Sequence, residues 1–215
     1  GTIAAMGRVG LTGDRALDVN VEGMLNAGAI SVVTNRIRAE GDTTLSLQAR
    51  GTVQDPALKG MLALRNGAVA SDEPNIGAEN INADVSVEGP TITLASLKGD
   101  VNGGTLEGSG TVTLGEGGIA NIDMRVVTKD FAYDAPLDLR SLSDADLRIA
   151  KQDDDFVVSG KVTITDGGLT GDVNFDTGLL AAMTARRRLH LTEQRNPFLE
   201  RMRFGVNVHT AGRIL

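Results

Sequence analysis

The chain has 215 residues, 41% hydrophobic and 3% aromatic, with 27 Gly, 5 Pro, no Cys and no Trp. Its 21 Lys plus Arg against 28 Asp plus Glu leave a formal net charge of -7, which disfavours a nonspecific grip on nucleic acid. The missing Cys excludes a disulfide scaffold, a thiol nucleophile and a thiolate zinc site, and no stretch approaches the roughly 20 apolar residues that a membrane-spanning helix needs.

In chain order the dominant signal is a period of two, the mark of strands wet on one side. Leu17, Val19 and Val21 alternate with Asp18, Asn20 and Glu22; Leu45, Leu47 and Ala49 alternate with Ser46, Gln48 and Arg50. Ile81, Ala83, Val85 and Val87 follow, then Ile122, Met124 and Val126, then Leu147 and Ile149, Val162 and Ile164, and Phe204, Val206 and Val208. Short runs bounded by Gly, Asn or Asp leave no room for crossover helices and predict an antiparallel all-β sheet. Asn66-Gly67, Gly103-Gly104, Gly117-Gly118 and Asp166-Gly167-Gly168 are the clearest hairpin candidates, because tight hairpin turns need positive φ. The period changes near the C-terminal end, where Leu179, Leu180 and Met183 at helical spacing among alanines predict a short amphipathic helix over about 176–189. Arg186, Arg187 and Arg188 fall in its last turn, where positive charge suits the helix dipole, and are candidates for headgroup or partner contact.

Fragments recur with their polarity intact. Gly60 to Gly67 aligns with Gly160 to Gly167, Asp18 to Gly23 with Asp84 to Gly89, and Leu47 to Val53 with Leu106 to Val112. The offsets differ, which predicts a meander built from one hairpin vocabulary over a single continuous 1–215 segment, not a fixed-period solenoid. The ends, Gly1-Thr2-Ile3 and Arg213-Ile214-Leu215 just beyond an alternating run, read as those of a piece of a longer protein.

Residues that could carry chemistry are few. His190 and His209 lie apart and lack positioned neighbours for a relay or metal site. Asp153-Asp154-Asp155 has neither the ligand spacing nor the Gly of a calcium loop. The glycine-rich stretch Asn102 to Gly110 has no Lys and no strand-to-helix context for phosphate. No cofactor, metal or catalysis is expected. What remains is one aliphatic face running along many strands, either the core of a two-sheet sandwich or an open groove for an apolar ligand; periodicity alone leaves both open.

A strand ending in Asn66-Gly67, an Ala83-Asp84 strand, the Ser96-Leu97 segment and the Gly103-Gly104-Thr105-Leu106 hairpin leading to Gly108-Ser109-Gly110 follow one another in an order that resembles the TamB family of translocation and assembly module proteins. The tail Asp172 to Leu180 and Arg195 to Phe204 is similar to the same family and is the more specific match. The resemblance implies an inner-membrane-anchored periplasmic protein of bacteria with two membranes, related to bridge-like lipid transfer proteins. It also implies a taco-like antiparallel β-groove with an apolar interior, phospholipid as cargo, and a TamA-like outer-membrane β-barrel as partner in outer-membrane protein assembly or secretion. The candidate lining is Ile92, Leu94, Val112, Leu114, Ile122, Met124, Val126, Leu147, Ile149, Val162 and Ile164. The alternative is a structural or adhesive β-sandwich of the bacterial envelope.

Overall fold

The computed structural model describes residues 1–10, 16–26, 37–72, 75–115, 118–135, 139–153, 155–169 and 201–211. The strands are β1 (Thr2–Val9), β2 (Ala16–Asn26), β3 (Ile37–Thr52), β4 (Pro56–Asp72), β5 (Asn75–Glu88), β6 (Thr91–Val101), β7 (Gly104–Gly115), β8 (Gly118–Ala135), β9 (Leu139–Gln152), β10 (Asp155–Leu169) and β11 (Met202–Thr210). They form one 11-stranded sheet in sequence order, with β1 and β11 as separate edges. Neighbours from β1 through β10 pair antiparallel, as the short connections require, whereas β11 runs parallel to β10. The wholly antiparallel expectation therefore fails at the last strand. A two-sheet sandwich is not formed either: no second sheet exists among the described residues. The expected helix over 176–189, with Arg186, Arg187 and Arg188, lies outside the described residues, as does His190.

The strands are also longer than the alternating runs suggest, reaching 18 residues in β8. The reason is visible at two of the expected hairpins. Asn66-Gly67 does not turn the chain; Asn66 takes φ 51° inside β4, and the pairing with β5 slips there between Leu64 and Gly67. Asp166-Gly167-Gly168 lies inside β10, beside a slip between Ile164 and Asp166. A bulge uses the same positive-φ chemistry as a hairpin turn, so the residue types do not separate the two. The β6–β7 turn falls one residue earlier than expected, on Asn102-Gly103 with φ 46° and 82°, both positive as a type I′ turn demands. Glu116-Gly117, between β7 and β8, lies outside the described residues.

The Gly60 and Gly160 repeats are structurally equivalent, whereas Gly23 lies inside β2 and its counterpart Gly89 turns the chain after β5 at φ 55°. Gly60 faces Leu47 of the preceding strand and Gly160 faces Leu147, and a slip in register follows each within seven residues, at 64–67 and 164–166.

Bulges cluster near one end of the middle strands, at Leu64/Gly67, Glu79/Asn82, Leu94/Leu97 and Thr128/Phe131. Each bends its strand and increases local twist. Here the sheet curls over its aliphatic face: Ala78, Ile81 and Val101 are buried together, packed on by Leu64, Ile76, Leu97, Leu106 and Phe131 from five different strands. The short β6–β7 hairpin ends early at this rim, and Asn102 fills the space beyond it. Its backbone N–H donates to the Gly77 carbonyl at 2.8 Å and its Oδ1 accepts from the Gly77 amide at 2.7 Å. On the other side its Nδ2 donates to the Ala132 carbonyl at 2.9 Å and its carbonyl accepts from the Ala132 amide at 3.4 Å. Asn102 thus stands in for a strand residue and ties β5 to β8.

Candidate functional site

Directly opposed residues on neighbouring strands share a face. Following partners from edge to edge gives a row of Ile3, Gly23, Leu45, Leu62, Val85, Leu94, Gly110, Met124, Ile149, Val158 and Phe204, one residue from every strand and none of them polar. At a strand spacing of about 4.8 Å this row runs roughly 48 Å along the sheet. Two parallel rows flank it. Ala5, Val21, Leu47, Gly60, Val87, Ile92, Val112 and Ile122 form one, and Leu64, Ala83, Leu97, Gly108, Val126, Leu147, Gly160 and Val206 form the other.

The residues singled out from sequence fall on this face. Leu94, Met124 and Ile149 lie in the central row, Ile92, Val112 and Ile122 in one flank, and Val126 and Leu147 in the other. Val162 sits two residues beyond Gly160, opposite Ala145 and Val208; Ile164 follows it opposite Ser143. Leu114 stands two residues past Val112, beyond a slip that sets it opposite Ile119, at the margin of this face, and is exposed. Ile122 is buried and the others are half-buried. The sequence list omitted Ile3, Leu45, Leu62, Val85 and Val158, which carry the same alternation and extend the face to both flanks.

Glycines interleave with the large side chains. Gly23 lies between Ile3 and Leu45, Gly60 between Leu47 and Val87, Gly110 between Leu94 and Met124, and Gly160 between Leu147 and Val206. A Cβ at Gly60 would lie 2.8 Å from Leu47 Cδ1, and one at Gly110 2.6 Å from Met124 Cα. The aliphatic side chains therefore lean over the glycines, which lets neighbouring strands coil closely. The large residues are covered only by one another: no side chain among the described residues is fully buried, and Ile3, Val9, Phe204 and Val208 remain exposed. With no second layer among the described residues, an apolar surface of this extent marks a binding surface.

The opposite face is polar and charge-paired. Asn20, Gln48, Lys59, Glu88, Thr91, Thr113 and Asn121 form one of its rows. Arg125 and Arg148 oppose each other directly on β8 and β9, an arrangement that costs stability unless relieved. Each reaches diagonally to a carboxylate with two bonds: Arg125 to Asp146 at 2.8 and 2.6 Å, Arg148 to Asp123 at 2.7 Å twice. The Arg148 hydrogen bonds hold the Asp123 carboxyl below the usual range, and those of Arg125 do the same to Asp146, with partial desolvation opposing and the guanidinium charge assisting. Arg65 lowers Asp84 in the same way. Two open hollows of about 400 Å³ each also lie on this face beside exposed Met61, lined by Ser46, Ser86, Lys59 and Asp84 among others. His209 belongs to the exposed polar side of β11, and the described residues contain no cluster of three metal-ligating side chains.

The architecture is that of a single-layered, open, all-β meander with one aliphatic and one charge-paired face. The chain matches no family model, no curated protein and no solved structure.

Proposed function

We propose that this chain is a non-enzymatic groove segment of a TamB-like periplasmic protein, supporting outer-membrane biogenesis by carrying phospholipid acyl chains along its aliphatic face. The observation that carries this reading is the unbroken eleven-strand apolar row, with no second sheet among the described residues. Burying an acyl chain gains about 0.8 kcal/mol per methylene, so a continuous trough lets the tails leave one membrane without entering water while the headgroup stays wet. A lining whose three central rows carry no polar side chain offers no discrete stopping point, which suits sliding better than tight capture. Support for outer-membrane protein assembly through a TamA-like β-barrel belongs to the same proposal. The sandwich alternative would need a second sheet against this face.

Photo-crosslinking side chains at Met124 and Leu114 are expected to capture phospholipid, whereas those at Thr113 and Asp123, on the polar face, are not. Equal labelling of the two sets overturns the reading.

A further inference from the structure

We propose that Lys151 is the docking point for the phosphate of a lipid headgroup at one margin of the aliphatic trough. The inference rests on the lipid reading of that face and narrows it to lipids whose head carries an anionic phosphate.

The flank row that reaches Ile122 on β8 meets a charge on β9. Lys151 stands one step past the Asp123–Ala150 pair, level with Ile122, and pairs with Phe156 of β10, which in turn pairs with Met202 of β11. It follows Ile149 by two residues with no bulge between them, so its side chain leaves the strand on the same face as Ile149 and the central row. Across the three aliphatic rows and their continuations, Lys151 is the one charged residue among the described residues.

A charge set on an apolar face is costly unless its head reaches a partner. Lys151 is half-buried, and its Nζ donates to the Ile119 carbonyl at 2.7 Å. Ile119 lies near the start of β8, at the slip between Thr113 and Leu114. The ammonium is thereby drawn away from the central row toward the strand ends, while its stem stays along the aliphatic surface, as long cationic side chains do where apolar and wet surroundings meet.

That hydrogen bond uses one of the three ammonium donors and neutralises no charge. The cations of the polar face are treated differently: Arg50, Arg65, Arg125, Arg148 and Arg203 each pair with a carboxylate. Among the described residues no carboxylate lies within ion-pair distance of Lys151, and Asp155, just beyond the turn, is engaged by Arg203 at 2.6 Å. A neutral donor would serve the Ile119 carbonyl equally well, so the charge itself is left for an anion. A compact ammonium suits phosphate oxygens, and a lipid whose tails lie along Ile149, Met124 and Leu94 has its head within reach of this margin. Lys151 thus gives the trough a stopping point that its aliphatic rows lack.

The test uses the full chain with a photo-crosslinker at Met124 and two lipids of identical acyl chains, phosphatidylglycerol and diacylglycerol. Capture of phosphatidylglycerol should exceed that of diacylglycerol about tenfold. In Lys151→Met, which keeps the stem and drops the charge, and in Lys151→Gln, which keeps a neutral donor, the ratio should fall to about one through loss of phosphatidylglycerol; Lys151→Arg should preserve it. Soluble glycerol phosphate should not compete. Equal capture of both lipids by the native chain, or a preference that survives in Lys151→Met, overturns the inference and leaves the lipid reading standing. So does a parallel loss of both lipids in Lys151→Met, the mark of a purely structural cap on Ile119, and competition by glycerol phosphate rules out a lipid head as the anion. Capture of neither lipid by the native chain overturns the lipid reading and this inference with it.

Discussion

The middle strands β4 to β8 and the flank formed by β1 and β2 are written in the same alternating code, but they fold to different depths. In the flank the pairing of β1 with β2 and of β2 with β3 proceeds without a register slip. Every residue of β1 is exposed, and Leu17, Val19, Val21 and Leu25 of β2 are half-buried while Met24 is exposed. In the middle, the four successive pairings from β4–β5 to β7–β8 all slip, and there Ala78, Ile81, Ala83, Val101 and Ile122 become buried. The lesson is that alternation makes an apolar face, while bulges decide where that face is folded over itself. In β1 and β2 the unbulged ladder leaves its aliphatic side chains to water or to a ligand.

Substitutions can break that comparison. The largest effect is expected from Ile81→Ala, which empties the centre of the curled cluster and should cost about 2–4 kcal/mol. The matching Val21→Ala change in the flank should cost about 1 kcal/mol or less. Urea unfolding of the two variants checks the difference, and equal losses would show that the curl stores no extra stability. Next comes Asn102→Gly, which keeps the positive φ of the turn but removes the amide tied to Gly77 and Ala132. It should cost about 1–2 kcal/mol, with the Gly77 amide losing hydrogen-exchange protection while the amides of β2 keep theirs.

The smallest effect belongs to the polar face. Asp123 and Asp146 have lowered carboxyl pKa values in the folded chain, so their pairing contributes above the ordinary carboxylate range, near pH 4, and is lost as pH falls below it. Thermal unfolding of the native chain should therefore weaken on acidification more steeply than that of the double variant Asp123→Asn and Asp146→Asn. Salt should narrow the gap between them, because these groups are exposed and screened.

Much of the fold was legible in the residues themselves. The alternations at 17–21, 45–49, 81–87 and 122–126 determined that the chain makes strands, that one face is aliphatic, and which side chains belong to it, since a period of two leaves no other assignment. The Gly60 and Gly160 fragments likewise announced two equivalent strands. Register was not legible. Asn66-Gly67 and Asn102-Gly103 carry the same turn chemistry, yet one bulges a strand and the other reverses the chain, because the outcome depends on how far the neighbouring strand continues. Only the tertiary structure placed Gly110 between Leu94 and Met124, used Asn102 to bridge β5 and β8, and turned the last strand parallel to its neighbour. Each of these depends on contacts between residues distant in sequence, for which local propensity holds no information. The sequence by itself determined the two faces; tertiary pairing joined them into one open layer and set where it curls.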